Sequence, residues 1–154
     1  MEEHEHIKGF CPKEIFDLYR YLCIYECDLG CIEKQEDLWK QHPDLKELED
    51  LMLTLNCNYC TQEYLKNCFF APVNDWLSMT KCRNSKILSL LRHLRNSIAH
   101  GQIEQEEGYV HLFDYAYEKD HISEKRNKIF SAMGRIKSSI LFELIHIINK
   151  SISL

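Results

Sequence analysis

The residues from Lys86 to Ile103, KILSLLRHLRNSIAHGQI, decide how the chain is read. Turned at about 100° per residue with Leu91 at the origin, Ile87, Leu90, Leu94 and Ile98 fall on one side of an arc and Leu88 and Ala99 on the other. The result is a helix with a broad apolar face, capped by Asn84 or Ser85, running to His100 and left through Gly101. Arg95 falls inside the apolar arc, at about 40° between Leu91 and Leu88. A buried unpaired charge is costly, so Arg95 must meet a carboxylate, snorkel to water, or line a cleft where an anion arrives. Arg92, His93, Asn96 and His100 form the polar face, with Asn96 and His100 one turn apart.

Beyond this helix, Gln102 to Gln105 and Tyr109 to Tyr117 are rich in strand formers around a Glu-Glu-Gly turn, which predicts a small β-hairpin. A strongly apolar segment from Ser131 to Lys150, with Ile136, Ile140, Leu141, Leu144, Ile145 and Ile148, reads as the closing helix. On the other side, the spacing predicts a helix over Pro12 to Glu36, with Ile15, Leu18, Tyr19, Leu22 and Cys23 on one stripe and Gly30 near its end. A second helix starts at His42-Pro43-Asp44 and carries Leu45, Leu48, Met52, Leu55 and Tyr59. A short third piece runs from Thr61 to Phe70 before Ala71-Pro72, and Val73 to Thr80 fits either type of element. Only five Gly and three Pro occur, too few turn formers for an all-β sandwich. The expected fold is mainly α: a bundle of four to five helices with a small β-hairpin before the last, in one domain over residues 1–154.

With 45% hydrophobic and 28% charged residues, the composition is that of an ordinary globular protein rather than a disordered or fibrous one. No apolar run is long enough for a membrane span and no export signal opens the chain, so a cytoplasmic protein without membrane contact is expected. Eight cysteines then read as mostly reduced thiols. The net charge of -5 argues against a polycationic nucleic-acid coat. That charge is unevenly spread. Trp76 to Ile103 holds five basic residues (Lys81, Arg83, Lys86, Arg92, Arg95) and no acidic one, while Lys125 to Lys150 holds six basic residues against Glu143 alone. Two basic segments suit an RNA path if they adjoin in space.

The string Leu91-Arg92-His93-Leu94-Arg95-Asn96-Ser97-Ile98-Ala99-His100-Gly101 resembles the signature of the HEPN superfamily: an Arg, four to six residues, then a His, commonly with a polar residue directly after the Arg. Arg95-Asn96-x3-His100 at the end of an amphipathic helix, followed by Gly, is far more specific than the spacing alone. The resemblance implies a helical-bundle, metal-independent endoribonuclease of toxin or antiviral type, with its active site where the motifs of two subunits meet. The residue types suit that chemistry. RNA supplies its own nucleophile, the 2′-hydroxyl, so the enzyme needs proton transfer and stabilisation of a phosphorane rather than a metal-activated water. Histidine moves protons near neutral pH, and the arginine fork matches phosphate oxygens.

Arg95 and His100 lie about 140° apart around the helix and about 7.5 Å along it, a separation that a two-fold dimer pooling two copies of each resolves. The expected catalytic residues are Arg95, Asn96 and His100, with Arg92, His93, Lys86 and Arg83 toward the RNA. No metal or cofactor is called for, and RNA, a second copy of the chain, and an antitoxin or regulatory protein are the expected partners. Some HEPN proteins paired with a nucleotidyltransferase antitoxin carry a Tyr two residues after the motif His, where Gln102 stands here.

Plainer readings accompany these. Arg95 and His100 also fit an ion pair and a polar helix end, and Asn96 fits a residue bonding backbone there. Arg95 could anchor an anion in a non-catalytic module binding RNA, a nucleotide or a protein. Arg92 and His93 read as solvated or phosphate-facing rather than as proton carriers. Cys57 and Cys60, with Cys68 and Cys82, could hold zinc but lack a second close pair, so small buried thiols fit better. Cys23, Cys27 and Cys31 read as a core ridge, His4 and His6 as a frayed terminus, and Glu104, Glu106 and Glu107 as a solvated turn. Tyr109, Phe113, Tyr115 and Tyr117 suit base stacking but more simply cover the bundle.

Overall fold

The structure, a computed structural model, describes residues 7–29, 40–41, 44–68, 76–119, 122 and 125–151. Helix α1 (Pro12–Ile24) begins with proline at its first turn, where Glu14 Oε1 accepts the Cys11 N–H at 2.9 Å. It buries Leu18, Tyr21 and Ile24 and then widens into one π-helical turn, Tyr25–Leu29. Among the described residues, α2 (Leu45–Thr54), α3 (Gln62–Lys66), α4 (Lys86–Ala99) and α5 (Ser138–Ser151) follow. The strands are β1 (Cys57–Tyr59), β2 (Trp76–Met79), β3 (Ile103–Glu106), β4 (Tyr109–Lys119) and β5 (Arg126–Lys137). They form one sheet in the order β1-β2-β5-β4-β3, parallel between β1 and β2 and antiparallel elsewhere.

A mixed five-stranded sheet therefore corrects the expected mainly α bundle. The largest revision is β5. Residues from Ser131 onward were expected to be helical, yet the chain pairs with β4 from Arg126 opposite Lys119 to Lys137 opposite Tyr109, and the helix starts only at Ser138. Ala132 and Ile136 fit a helical spacing, but with Gly134 between them they also alternate as a strand. Glycine is unfavourable inside a helix and useful where backbones approach closely. A Cβ at Gly134 would lie 2.3 Å from Trp76 O and 2.6 Å from Leu77 Cα, so the glycine admits β2 against β5.

The second helix stops at Thr54 instead of continuing to Tyr59; Leu55 turns extended and Asn56 O accepts the Leu77 N–H at 2.8 Å, which starts β1. In the stretch that fitted either element, β2 buries alternate residues Leu77 and Met79. Helix α3 is shorter than predicted and is capped by Thr61 Oγ1, which accepts the Tyr64 N–H at 3.1 Å. The hairpin is where the sequence placed it, and Glu107 and Gly108 make its two-residue turn with φ of 51° and 81°. Cys23 and Cys27 are exposed rather than in a core ridge. The end of the first predicted helix with Gly30 and Cys31, the His42-Pro43 start, residues 69–75, and His4 and His6 lie outside the described residues.

The core joins α1, α4 and α5 to the sheet through Leu18, Leu91, Leu94, Ile98, Leu112, Ile136, Leu144 and Ile148, among others. The Tyr21 hydroxyl donates to Leu91 O at 2.6 Å, tying α1 to the middle of α4. Among the described residues no helix is long and apolar enough to cross a membrane.

Candidate active site

Helix α4 positions the motif. Its N-cap Ser85 accepts the Leu88 N–H through its side chain at 3.4 Å, and its last turn ends at His100, whose N–H donates to Asn96 O at 3.0 Å. The apolar residues face the core, which leaves Arg95 and Asn96 half-buried and His100 exposed at the end of the helix. Arg95 Nη1 donates to Asn96 Oδ1 at 3.0 Å, and Arg95 Nε donates to Glu26 Oε1 in an ion pair. Of the three outcomes open to an arginine in an apolar arc, the structure shows the carboxylate: Glu26, carried on the π-helical turn after α1. Such single π turns are frequent at functional sites. His100 stands exposed one turn beyond Asn96.

Behind this surface lies a buried polar chain. Asn96 Nδ2 donates to Asp114 Oδ2 at 3.2 Å, and the same oxygen accepts His93 Nδ1 at 2.7 Å. On its other side, His93 Nε2 donates to Thr80 O at 2.8 Å and lies 3.8 Å from Cys82 Sγ. Asp114 sits where the β4–β5 register shifts: it pairs with Ala132 while Tyr115 pairs with Phe130, so Ser131 is the extra residue of a β-bulge. Ser131 O accepts the Thr80 N–H at 2.8 Å, which fixes the neighbouring backbone on which His93 leans. Bulges commonly re-aim side chains beside functional sites.

Burial works against a charged His93, but hydrogen bonds to Asp114, Cys82 and Thr80 outweigh it and carry its pKa up to about 9. Burial likewise pushes the Cys82 thiol up, and the hydrogen bond and charge of His93, with smaller help from Ser89 and Arg83, bring it below its ordinary value. The expected solvated position of His93 is thus corrected: it is 3% exposed and committed to Asp114, leaving no face for an arriving phosphate.

The other expected RNA contacts are dispersed. Arg92 is half-buried on α4. Lys86 Nζ donates to Cys57 O at 2.9 Å and lies over the Tyr59 ring, while Arg83 Nη1 donates to Cys82 O at 2.8 Å. Lys86 is nine residues before Arg95, about 13 Å along the helix, so it is not gathered with the motif. The two basic segments do adjoin, with Trp76 of β2 opposite Arg135 of β5. On β4 and β5, Lys128, Arg126 and Arg135 lie over the rings of Tyr115, Tyr117 and Tyr109. Among the described residues no three His, Cys, Asp or Glu side chains are grouped to hold a metal ion.

Glu26 and Asp114 are the site residues that the sequence reading missed. Asp114 had a signal: it alternates with the buried Val110 and Leu112 on one face of β4, where a carboxylate demands a partner. Glu26 had none, because nothing in an α-helical reading of its segment aims it at Arg95.

The chain matches the family described as HEPN pEK499 p136 over residues 4–137. No curated protein and no solved structure matches it.

Proposed function

The chain belongs to the HEPN pEK499 p136 family, and from that premise we propose that it is a dimeric endoribonuclease of toxin or defence type, cleaving RNA through Arg95, Asn96 and His100. The observation that carries this reading is the helix end itself: Arg95 and Asn96 are held side by side by a 3.0 Å hydrogen bond, and His100 is exposed one turn on.

In this mechanism the substrate's 2′-hydroxyl attacks the adjacent phosphorus. His100 accepts the 2′ proton, and the partner subunit's His100 protonates the leaving 5′ oxygen. Arg95 exchanges Glu26 for a non-bridging phosphate oxygen and stabilises the charge that develops there. Asn96, held by Asp114, keeps the guanidinium in register. No metal-activated water is needed, because the nucleophile belongs to the RNA. In this reading Arg92, half-buried on the motif helix, meets the flanking backbone, and Arg83 and Lys86 contact RNA only farther along α4. An acidic first half leaves a face for a basic antitoxin or regulatory protein.

A pooled site makes activity depend on association. In excess chelator, the cleavage rate per protomer is expected to fall as the protein is diluted below its dimer dissociation constant, and Arg95→Ala to abolish cleavage. A rate per protomer independent of concentration in a strictly monomeric protein would overturn the shared site. RNA bound intact by the wild type, with binding lost in Arg95→Ala, would favour a non-catalytic module in which Arg95 is an anion anchor.

A further inference from the structure

Cys82 sits in a side-chain arrangement that the ribonuclease reading does not use. Its sulfur lies 3.8 Å from His93 Nε2, and His93 is fixed from the other side by Asp114 at 2.7 Å. The sulfur is also 3.8 Å from Ser89 O, to which a protonated thiol would donate. Cys82, His93 and Asp114 thus form a connected chain of contacts, with the sulfur at its half-exposed end. We propose that Cys82 is a modification site, oxidised selectively by hydroperoxides to a sulfenic acid, with His93 and Asp114 as the residues that activate it.

The step balances between the thiolate, the oxidant and solvent. The Cys82 sulfur, as thiolate, attacks one peroxide oxygen; the S–O bond forms as the O–O bond breaks. The departing hydroxide takes a proton from solvent and leaves as water, while His93, its Nε2–H held by Thr80 O, favours the thiolate by its charge. Sulfur loses the two electrons that the peroxide gains. Only thiolates react at useful rates, so the neighbouring cation matters more than exposure. The Cys82 thiol is held below its ordinary value, whereas burial pushes Cys57 up to about 11 and also raises Cys60. Cys11, Cys23 and Cys27 are more open to solvent but stand outside the His93–Asp114 pair. Asp114 also holds Asn96, so Cys82 is connected to the motif through His93 and Asp114.

The test uses the full chain exposed to dilute hydrogen peroxide with a sulfenic-acid trap, followed by peptide mass mapping of every cysteine. Cys82 is expected to be trapped faster than Cys11, Cys23 or Cys27, because the neighbouring imidazolium favours its thiolate. In urea that advantage should vanish, and in Asp114→Asn it should shrink. Trapping of Cys82 no faster than Cys23 in the folded wild type would overturn the proposal, as would an advantage that survives unfolding. Neither readout depends on ribonuclease activity.

Discussion

His93 and Asp114 are joined at 2.7 Å from Nδ1 to Oδ2, both buried, one on α4 and the other at the bulge of β4. This pair fastens the motif helix to the sheet, and the same carboxylate oxygen steadies Asn96. Removing one partner strands the other's polarity inside the protein. Asp114→Ala is expected to destabilise the fold by about 3–5 kcal/mol, the usual cost of breaking a buried pair, read as a lower urea midpoint.

The pair also sets a pH dependence. The pKa of His93 is raised in the fold from 6.5 to about 9, so the protonated form contributes stability in full below about pH 6.5 and loses it as pH rises through about 9. The loss is on the order of 3 kcal/mol between those limits. Urea midpoints measured from pH 6 to 10 should fall across that window in the wild type and less steeply in Asp114→Asn. A flat profile would show that His93 is not the charged member of the pair.

Glu26 and Arg95 behave differently, because their side chains are 50% and 31% exposed. Such pairs contribute under about 1 kcal/mol, so Glu26→Gln should barely shift the unfolding midpoint. If Arg95 must leave Glu26 to hold phosphate, the same variant should bind a short non-cleavable RNA up to about fivefold more tightly, as a 1 kcal/mol change in affinity implies. Fluorescence anisotropy at low salt reads this directly; weaker binding would assign Glu26 a positioning role instead.

Gly134→Ala tests the corrected sheet. Its added methyl would meet Trp76 O and the Leu77 Cα across β2, both backbone neighbours that cannot rotate away. The variant is expected to lose about 1–3 kcal/mol. A helical segment at this position would instead gain from the substitution, so the sign of the change in melting temperature decides between them.

The residues that announced themselves in the sequence did so through conflict or periodicity. Arg95 inside an apolar arc called for a carboxylate, a path to water or an anion-receiving cleft, and the structure pairs it with Glu26, while the Glu107-Gly108 turn fixed the hairpin. The rest of the sheet was hidden for a physical reason. β5 is followed without a break by α5, and its apolar residues satisfy helical and strand spacing alike, so only pairing with β4 and β2 decides the segment. β1 is three residues long and carries no alternation to read. His93 looked solvated because its partner Asp114 lies 21 residues away on a strand whose register depends on a one-residue bulge.

The most direct measurement is the chemistry of the RNA ends after incubation with the purified full chain in excess chelator. Attack by the 2′-hydroxyl predicts fragments ending in 2′,3′-cyclic phosphate and 5′-hydroxyl, with cleavage lost in His100→Ala while the unfolding midpoint stays within about 0.5 kcal/mol of wild type, as expected for an exposed side chain. Fragments bearing 5′-phosphate, or undiminished cleavage by His100→Ala, would contradict the account.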